Sequence, residues 1–135
     1  MPRKLLMAAA ATALVASACG GDEASFTVYS GRSEELVAPL IAAFTEETGI
    51  EVDVRYGDSA ELAATLLEEG GNSPADVFFA QDPASLGAVK LAGMFAPLAA
   101  DITGSVPDAF SDDDGRWVGV SGRARVVVYD TTKAA

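Results

Sequence analysis

Residues 26–56, FTVYSGRSEELVAPLIAAFTEETGIEVDVRY, decide the fold of this chain. The stretch begins with a β-type run and passes through a short polar turn into a helical apolar stripe over residues 34–48, which ends at Gly49. Residues 50–56 then alternate apolar and polar side chains, as a strand with one exposed face does. A strand, a helix and a second strand in this order predict a parallel pair joined by a crossover helix.

The same order of strand and helix continues along the chain. Residues 60–69 and 83–93 predict two more helices. Between them, residues 76–80 (DVFFA) form an apolar run that is typical of a central strand covered on both faces. Two β-rich segments follow a long loop: residues 117–120 and 125–129. We predict an α/β fold with a mostly parallel sheet and crossover helices.

Composition and charge exclude several functional classes. The 135 residues carry a formal net charge of −11, which repels phosphate backbones and argues against nucleic-acid binding. The sequence has no histidine and a single cysteine, Cys19, so it lacks the residues for Ser-His-Asp or Cys-His catalysis and for histidine metal sites. It also lacks the glycine patterns of nucleotide-binding loops. We therefore expect a binding protein and not an enzyme.

The N-terminal residues predict export and lipid attachment. A start with two basic residues precedes an uncharged apolar run over residues 5–15, which is too short for a transmembrane helix of about 20 residues. The run ends in VASACG, a pattern that resembles the lipobox of bacterial lipoproteins. We predict a lipoprotein signal peptide over residues 1–18, diacylation of Cys19 and a polar tether over residues 19–25. A cleaved signal peptide without lipidation is the alternative.

All three predicted strand-to-helix turns are polar. The carboxyl ends of parallel strands meet at one edge of a sheet, where open α/β sheets bind ligands and where free N–H groups at helix starts suit anions. The turns therefore supply candidates for a ligand cleft: Ser30, Gly31, Arg32, Ser33, Ser59 and Gln81. Gly31 would let the backbone approach a bound guest closely. Helix capping by Ser33, Asp58 and Asp82 is the alternative, and it alone would explain the two aspartates.

Three segments carry a resemblance to a known family. They are VYSGRSEELVAPLIAAFTEETGIEV (28–52), YGDSAELAATLLEEGGNSPADVFFAQD (56–82) and GRWVGVSGRARVVVYDTTK (115–133). Together they resemble the iron(III)-binding proteins of bacterial ABC importers, the ferric-binding-protein family. The resemblance implies a two-lobed periplasmic-binding-protein type II fold, which closes on its solute and presents it to a permease and its ATPase. It also implies ferric iron as the transported ligand, no cofactor, and an exported protein that is periplasmic or lipid-anchored to the outer face of the cell membrane.

The resemblance also sets expectations for the site. Family members are more than twice this length, so we expect residues 26–122 to form an incomplete first lobe and residues 123–135 a hinge strand leading to an absent second lobe. The family's first-lobe iron ligands, a histidine and a glutamate, correspond to Ser33 and Gln81, so no first-lobe metal ligand is predicted. Second-lobe tyrosines and a synergistic anion would hold the iron. Arg123 matches an arginine near the family's cleft, with a hinge-strand salt bridge as its alternative role. A different small anionic or organic solute is the alternative function.

Overall fold

The computed structural model describes residues 25–124 and 126–133. Its elements are β1 (Ser25–Ser30), α1 (Glu34–Thr48), β2 (Glu51–Tyr56), α2 (Ser59–Glu69), β3 (Val77–Phe79), α3 (Pro83–Leu91) and α4 (Ala100–Thr103), with 3-10 turns at Gly70–Asn72 and Asp108–Phe110. The predicted signal peptide, Cys19 and all but the last residue of the predicted tether lie outside these ranges. None of the helices within the ranges is both long and apolar enough to span a membrane.

The three strands form one parallel sheet in the order β2-β1-β3. Ser30, the last residue of β1, lies opposite Tyr56 of β2 on one side and Phe79 of β3 on the other. A helix joins each successive pair of strands, which confirms the predicted α/β class with crossover helices. The chain first moves from β1 to β2 and then returns past β1 to β3, so strand order reverses between β1 and β3.

Two apolar layers cover the central strand. Alternate side chains of a strand point to opposite faces, and Phe26 of β1 meets Phe44 of α1 on one face with ring centroids 5.6 Å apart. Tyr29 points to the other face. The core cluster on that face joins β1 to α2 and α3: Tyr29, Leu62, Ala63, Leu66 and Val89. Helix α1 therefore covers one side of the sheet, and α2 and α3 cover the other.

The prediction that residues 76–80 form the central strand is wrong for the described residues. Strand β3 pairs with β1 alone, and Val77 is 44% exposed. The central strand is β1, in which Val28 and Tyr29 are only 5% and 2% exposed. An apolar run indicates that its side chains can be buried, but it does not indicate whether one or two strands pair with it.

The two β-rich segments near the C-terminal end do not form strands among the described residues. Residues 117–120 contribute one isolated antiparallel bridge, between Ser111 and Val118. Further on, Val126, Val127 and Val128 are unpaired and 78%, 88% and 92% exposed. A strand needs a neighbour to satisfy its N–H and C=O groups, and the described part of the chain offers none here. The predicted hinge strand is therefore not a strand in this structure, and its role as a hinge stays a prediction.

Candidate functional site

Helices α1, α2 and α3 all begin at the carboxyl edge of the sheet, and their first residues differ in how they are capped. Asp58 accepts a hydrogen bond from the Ala60 N–H at 2.9 Å, and Asp82 accepts one from the Ser85 N–H at 2.8 Å. These two N-caps are as predicted. Ser33 occupies the N-cap position of α1 but makes no side-chain capping bond. Its exposed hydroxyl is thus not used by the helix.

Helix α2 begins directly against the turn that follows β1. Ser59 is 4% exposed, and a Cβ at Gly31 would lie 2.0 Å from Ser59 Oγ and 3.0 Å from Ser59 Cβ. The Gly31 N–H donates to the Phe79 carbonyl at 2.8 Å and so ties this turn to the end of β3. The sequence predicts that Gly31 admits a bound guest, whereas in the structure Ser59 fills the space beside it. Glycine is needed here because two backbone segments approach each other.

Gln81 connects the turns after β1 and β3 with the start of α2. Its backbone N–H donates to Ser59 Oγ at 3.0 Å, and its Nε2 donates to the Gly31 carbonyl. Its Oε1 accepts a hydrogen bond from Nη2 of Arg123 at 3.3 Å. Four of the predicted cleft residues therefore form one hydrogen-bonded group, which we call the Gln81 cluster: Gly31, Ser59, Gln81 and Arg123.

The other predicted residues of the first turn lie beside this cluster. Ser30 is fully buried, and its hydroxyl donates to the Arg32 carbonyl at 3.1 Å and accepts from the Arg32 N–H at 3.3 Å. The buried Ser30 hydroxyl therefore stabilises the conformation of the turn. Arg32 is half-buried, and none of the ion pairs within residues 25–124 and 126–133 includes it. Its guanidinium is a charge that the described structure does not neutralise by direct contact.

An open groove of about 640 Å³ lies between α2 and α3. Its walls are largely alanine, and its polar lining consists of Asp58, Ser59, Gln81, Asp82, Ser85 and Arg123. The groove lies at the carboxyl edge of the sheet, the edge at which open α/β sheets bind ligands. The turns after β2 and β3 line it, whereas none of the residues of the turn after β1 does.

The chemistry of the groove favours an anion or a polar solute over a directly ligated metal. The aspartate side chains that line the groove already accept helix N–H groups. Arg123 places a positive charge next to Gln81 Oε1, which disfavours a metal cation at that oxygen. Helix starts and a guanidinium both attract anions. No three His, Cys, Asp or Glu side chains in the described ranges come together as a possible metal site.

Sequence reasoning missed one ionic cluster, which joins α3 to the loop that follows it. Lys90 Nζ of α3 lies 2.5 Å from Asp112 Oδ1 and 2.8 Å from Asp114 Oδ2, in the run of three aspartates that begins at Asp112. The Lys90 hydrogen bond holds the pKa of Asp112 below its ordinary value, and the Asp112 hydrogen bond raises the pKa of Lys90. The two residues are far apart in sequence, so no local pattern reveals the contact, which fixes the loop after α3.

A family model described as bacterial extracellular solute-binding protein matches residues 29–135. The match covers most of the chain, and the chain belongs to this family. This assignment confirms the prediction that the chain comes from a solute-binding protein and not from an enzyme.

Individual relatives and solved structures show which kind of solute-binding protein the chain is similar to. The chain is 39% identical over 136 residues to the major ferric iron-binding protein of Neisseria gonorrhoeae, a match that covers 97% of this chain and 39% of the relative. Iron-bound HitA from Pseudomonas aeruginosa aligns with a TM-score of 0.69 at 31% identity, over 71% of this chain and 31% of that one. The Trichodesmium protein IdiA (FutA), solved with iron and citrate ligands, aligns with a TM-score of 0.65 at 29% identity, over 70% of this chain and 30% of that one.

These likenesses confirm the resemblance to ferric-binding proteins that the sequence carries. The solved neighbours are type II periplasmic binding proteins, and the described residues correspond to one lobe of that fold. The chain spans well under half of the length of the relatives it matches.

Proposed function

We propose that this chain is part of the solute-binding protein of an ABC importer that takes up ferric iron. The family match and the names of the relatives support the class of solute. The observation that carries the role of this lobe is the Gln81 cluster, which places Arg123 and the starts of α2 and α3 around one groove. A permease and an ATPase are the partners that such a protein requires.

In this proposal the described lobe holds the anion and not the iron. Fe(III) is a hard cation that prefers anionic oxygen ligands, and the two positions at which the resemblance expects iron ligands carry neutral Ser33 and Gln81. Tyrosines of a second lobe would hold the metal, and a small anion would complete its coordination. Arg123, which lines the groove, is suited to bind that anion. A relative solved with both iron and citrate supports an anion as a second component.

The full-length protein, purified free of iron, provides the test. Ferric citrate is titrated with and without bicarbonate or phosphate, and binding is followed by the tyrosinate-to-iron absorption band. We expect the band to appear and the affinity to depend on the anion. Removal of the charge by Arg123→Ala should weaken binding by about 1–3 kcal/mol, as expected for a lost charge-assisted hydrogen bond.

Lys133→Ala is the matched control, because Lys133 is an exposed cation whose ion pair is with Asp130, outside the groove. It should leave iron affinity unchanged. If no band appears with any anion while a small organic solute raises the melting temperature, the protein binds that solute and the iron proposal is wrong.

We further propose that Cys19 is diacylated after removal of residues 1–18 and anchors the protein to the outer face of the cell membrane. The support is the row of small residues before the lone cysteine. Expressed in a bacterial host, the parent protein should partition into detergent, and Cys19→Ala should not. Ser25→Ala, outside the motif, should behave like the parent. Equal partitioning of Cys19→Ala and the parent would contradict lipidation.

A further inference from the structure

A polar network joins the far end of α2 to the sheet. The Tyr29 phenol on β1 is 2% exposed and donates to Glu69, at 2.9 Å to Oε1 and 3.1 Å to Oε2. The Ser73 hydroxyl donates to Glu69 Oε2 at 2.7 Å. From β2, Nη1 of Arg55 donates to the Tyr29 hydroxyl at 3.2 Å, and its guanidinium lies 5.1 Å from the centroid of the Tyr29 ring. We call these four residues the Glu69 network.

Glu69 is the residue of α2 to which the other members of this network bind. It is the last residue of the helix, and its side chain is 25% exposed. A carboxylate is costly to bury unless donors meet it, and here donors come from β1 and from the loop before β3. Arg55 of β2 also lies 3.5 Å from Glu69 Oε1. One side chain therefore holds the C-terminal end of α2 to several parts of the sheet layer.

The other end of α2 has little freedom to move. The helix has 11 residues and is therefore about 16 Å long at 1.5 Å per residue. Its first residue, Ser59, accepts the Gln81 N–H at 3.0 Å, and Ser59 Cα lies only 3.1 Å from where a Cβ at Gly31 would be. Because the helix is short and rigid, a displacement along its axis at Glu69 also moves Ser59.

We propose that Glu69 is a positioning residue for the solute cleft. By holding α2 against Tyr29, it places Ser59 where Ser59 can bind the Gln81 N–H, and it thereby fixes the Gln81 side chain between Gly31 and Arg123. The predicted consequence for solute affinity rests on the proposed function. The predicted consequence for the geometry of the Gln81 cluster does not.

Hydrogen exchange at the Gln81 amide tests the geometric part, in the full-length protein without iron. Glu69→Ala should raise the exchange rate of this amide by roughly 2- to 30-fold, the range in which linked positions alter local equilibria. The amides of β1 should change less. Tyr29→Phe, which keeps the ring in the core, should give a smaller rise in the same direction. Glu68→Ala, the exposed neighbour on the same helix, is the matched control and should have no effect.

Two results would overturn the proposal. An unchanged exchange rate of the Gln81 amide in Glu69→Ala would mean that Glu69 is not coupled to the cluster. An equal rise in the exchange rate of every amide of β1 and α2 would mean a general loss of stability. Solute affinity adds a second test. Glu69→Ala and Ser59→Ala should each weaken ferric citrate binding, and the double variant should be no weaker than Ser59→Ala alone. Additive losses count against positioning through Ser59. If the parent protein binds no iron, the proposed function fails, and the exchange experiment still decides the role of Glu69.

Discussion

Replacement of Gly31 by alanine tests how closely α2 approaches the turn after β1. The new Cβ would lie 2.0 Å from Ser59 Oγ, 3.0 Å from Ser59 Cβ and 3.1 Å from Ser59 Cα. Rotation of the serine side chain relieves only the first contact, because the other two atoms move only with the helix. Carbon atoms prefer separations of about 3.5–4.0 Å, so α2 must withdraw by roughly 0.5–1 Å. Overpacking of this kind costs about 1–3 kcal/mol, and loss of the Ser59–Gln81 hydrogen bond adds about 1 kcal/mol.

Urea unfolding of the full-length protein measures this cost as a lower midpoint at an unchanged slope. Gly71→Ala is the matched control, because nothing lies within 4 Å of a Cβ there and its φ is not positive. It should be neutral or stabilising by up to about 1 kcal/mol. In a Ser59→Gly background, which lacks the Oγ and Cβ contacts, Gly31→Ala should cost less than it does in the parent. A cost below about 0.5 kcal/mol for Gly31→Ala in the parent, or the same cost in both backgrounds, would refute the close approach.

Two further predictions concern the core and acid stability. Leu66→Ala empties a site that is 4% exposed and should lower the free energy of unfolding by about 2–5 kcal/mol; Leu67→Ala, on the same helix but 44% exposed, should cost clearly less, and equal costs would contradict the described core. Because the Lys90 hydrogen bond holds the pKa of Asp112 below 3.8, the stability from this contact is present above about pH 4 and is lost as pH falls through the lowered pKa. The unfolding midpoint should therefore fall less steeply with acid in Asp112→Asn than in the parent, and identical pH profiles would exclude this role of Asp112.

The order of helices and strands could be predicted because it depends on residues close together in sequence. The apolar spacing predicts α1 over Glu34–Thr48, and Gly49 ends it with a φ of 71°. Asp58 and Asp82 cap the next two helices through bonds to residues two and three positions ahead. Such signals survive in any fold that keeps the same local backbone.

The arrangement of the strands could not be predicted in the same way. Val28 lies opposite Val77 because β3 returns to the far side of β1, and nothing in either strand specifies its neighbour. The β-branched residues Val126 and Val127 favour an extended backbone, but they form no strand among the described residues. Pairing depends on which segments meet in space, and local composition does not carry that information.

The candidate site could also be predicted only in part, and the contacts that the sequence does not reveal change the interpretation of its chemistry. The sequence locates the polar turns, and it shows that Gln81 stands where the ferric-binding proteins that it resembles carry a glutamate. From sequence alone this is the loss of a metal ligand. In the structure, Gln81 also bonds to Gly31, Ser59 and Arg123, and a glutamate could not donate to the Gly31 carbonyl. The Gln81 amide therefore joins the turn after β1 to Arg123, which lines the groove. In the proposed importer this positive charge favours an anion, and not a side chain of this lobe, as the group that completes the coordination of iron.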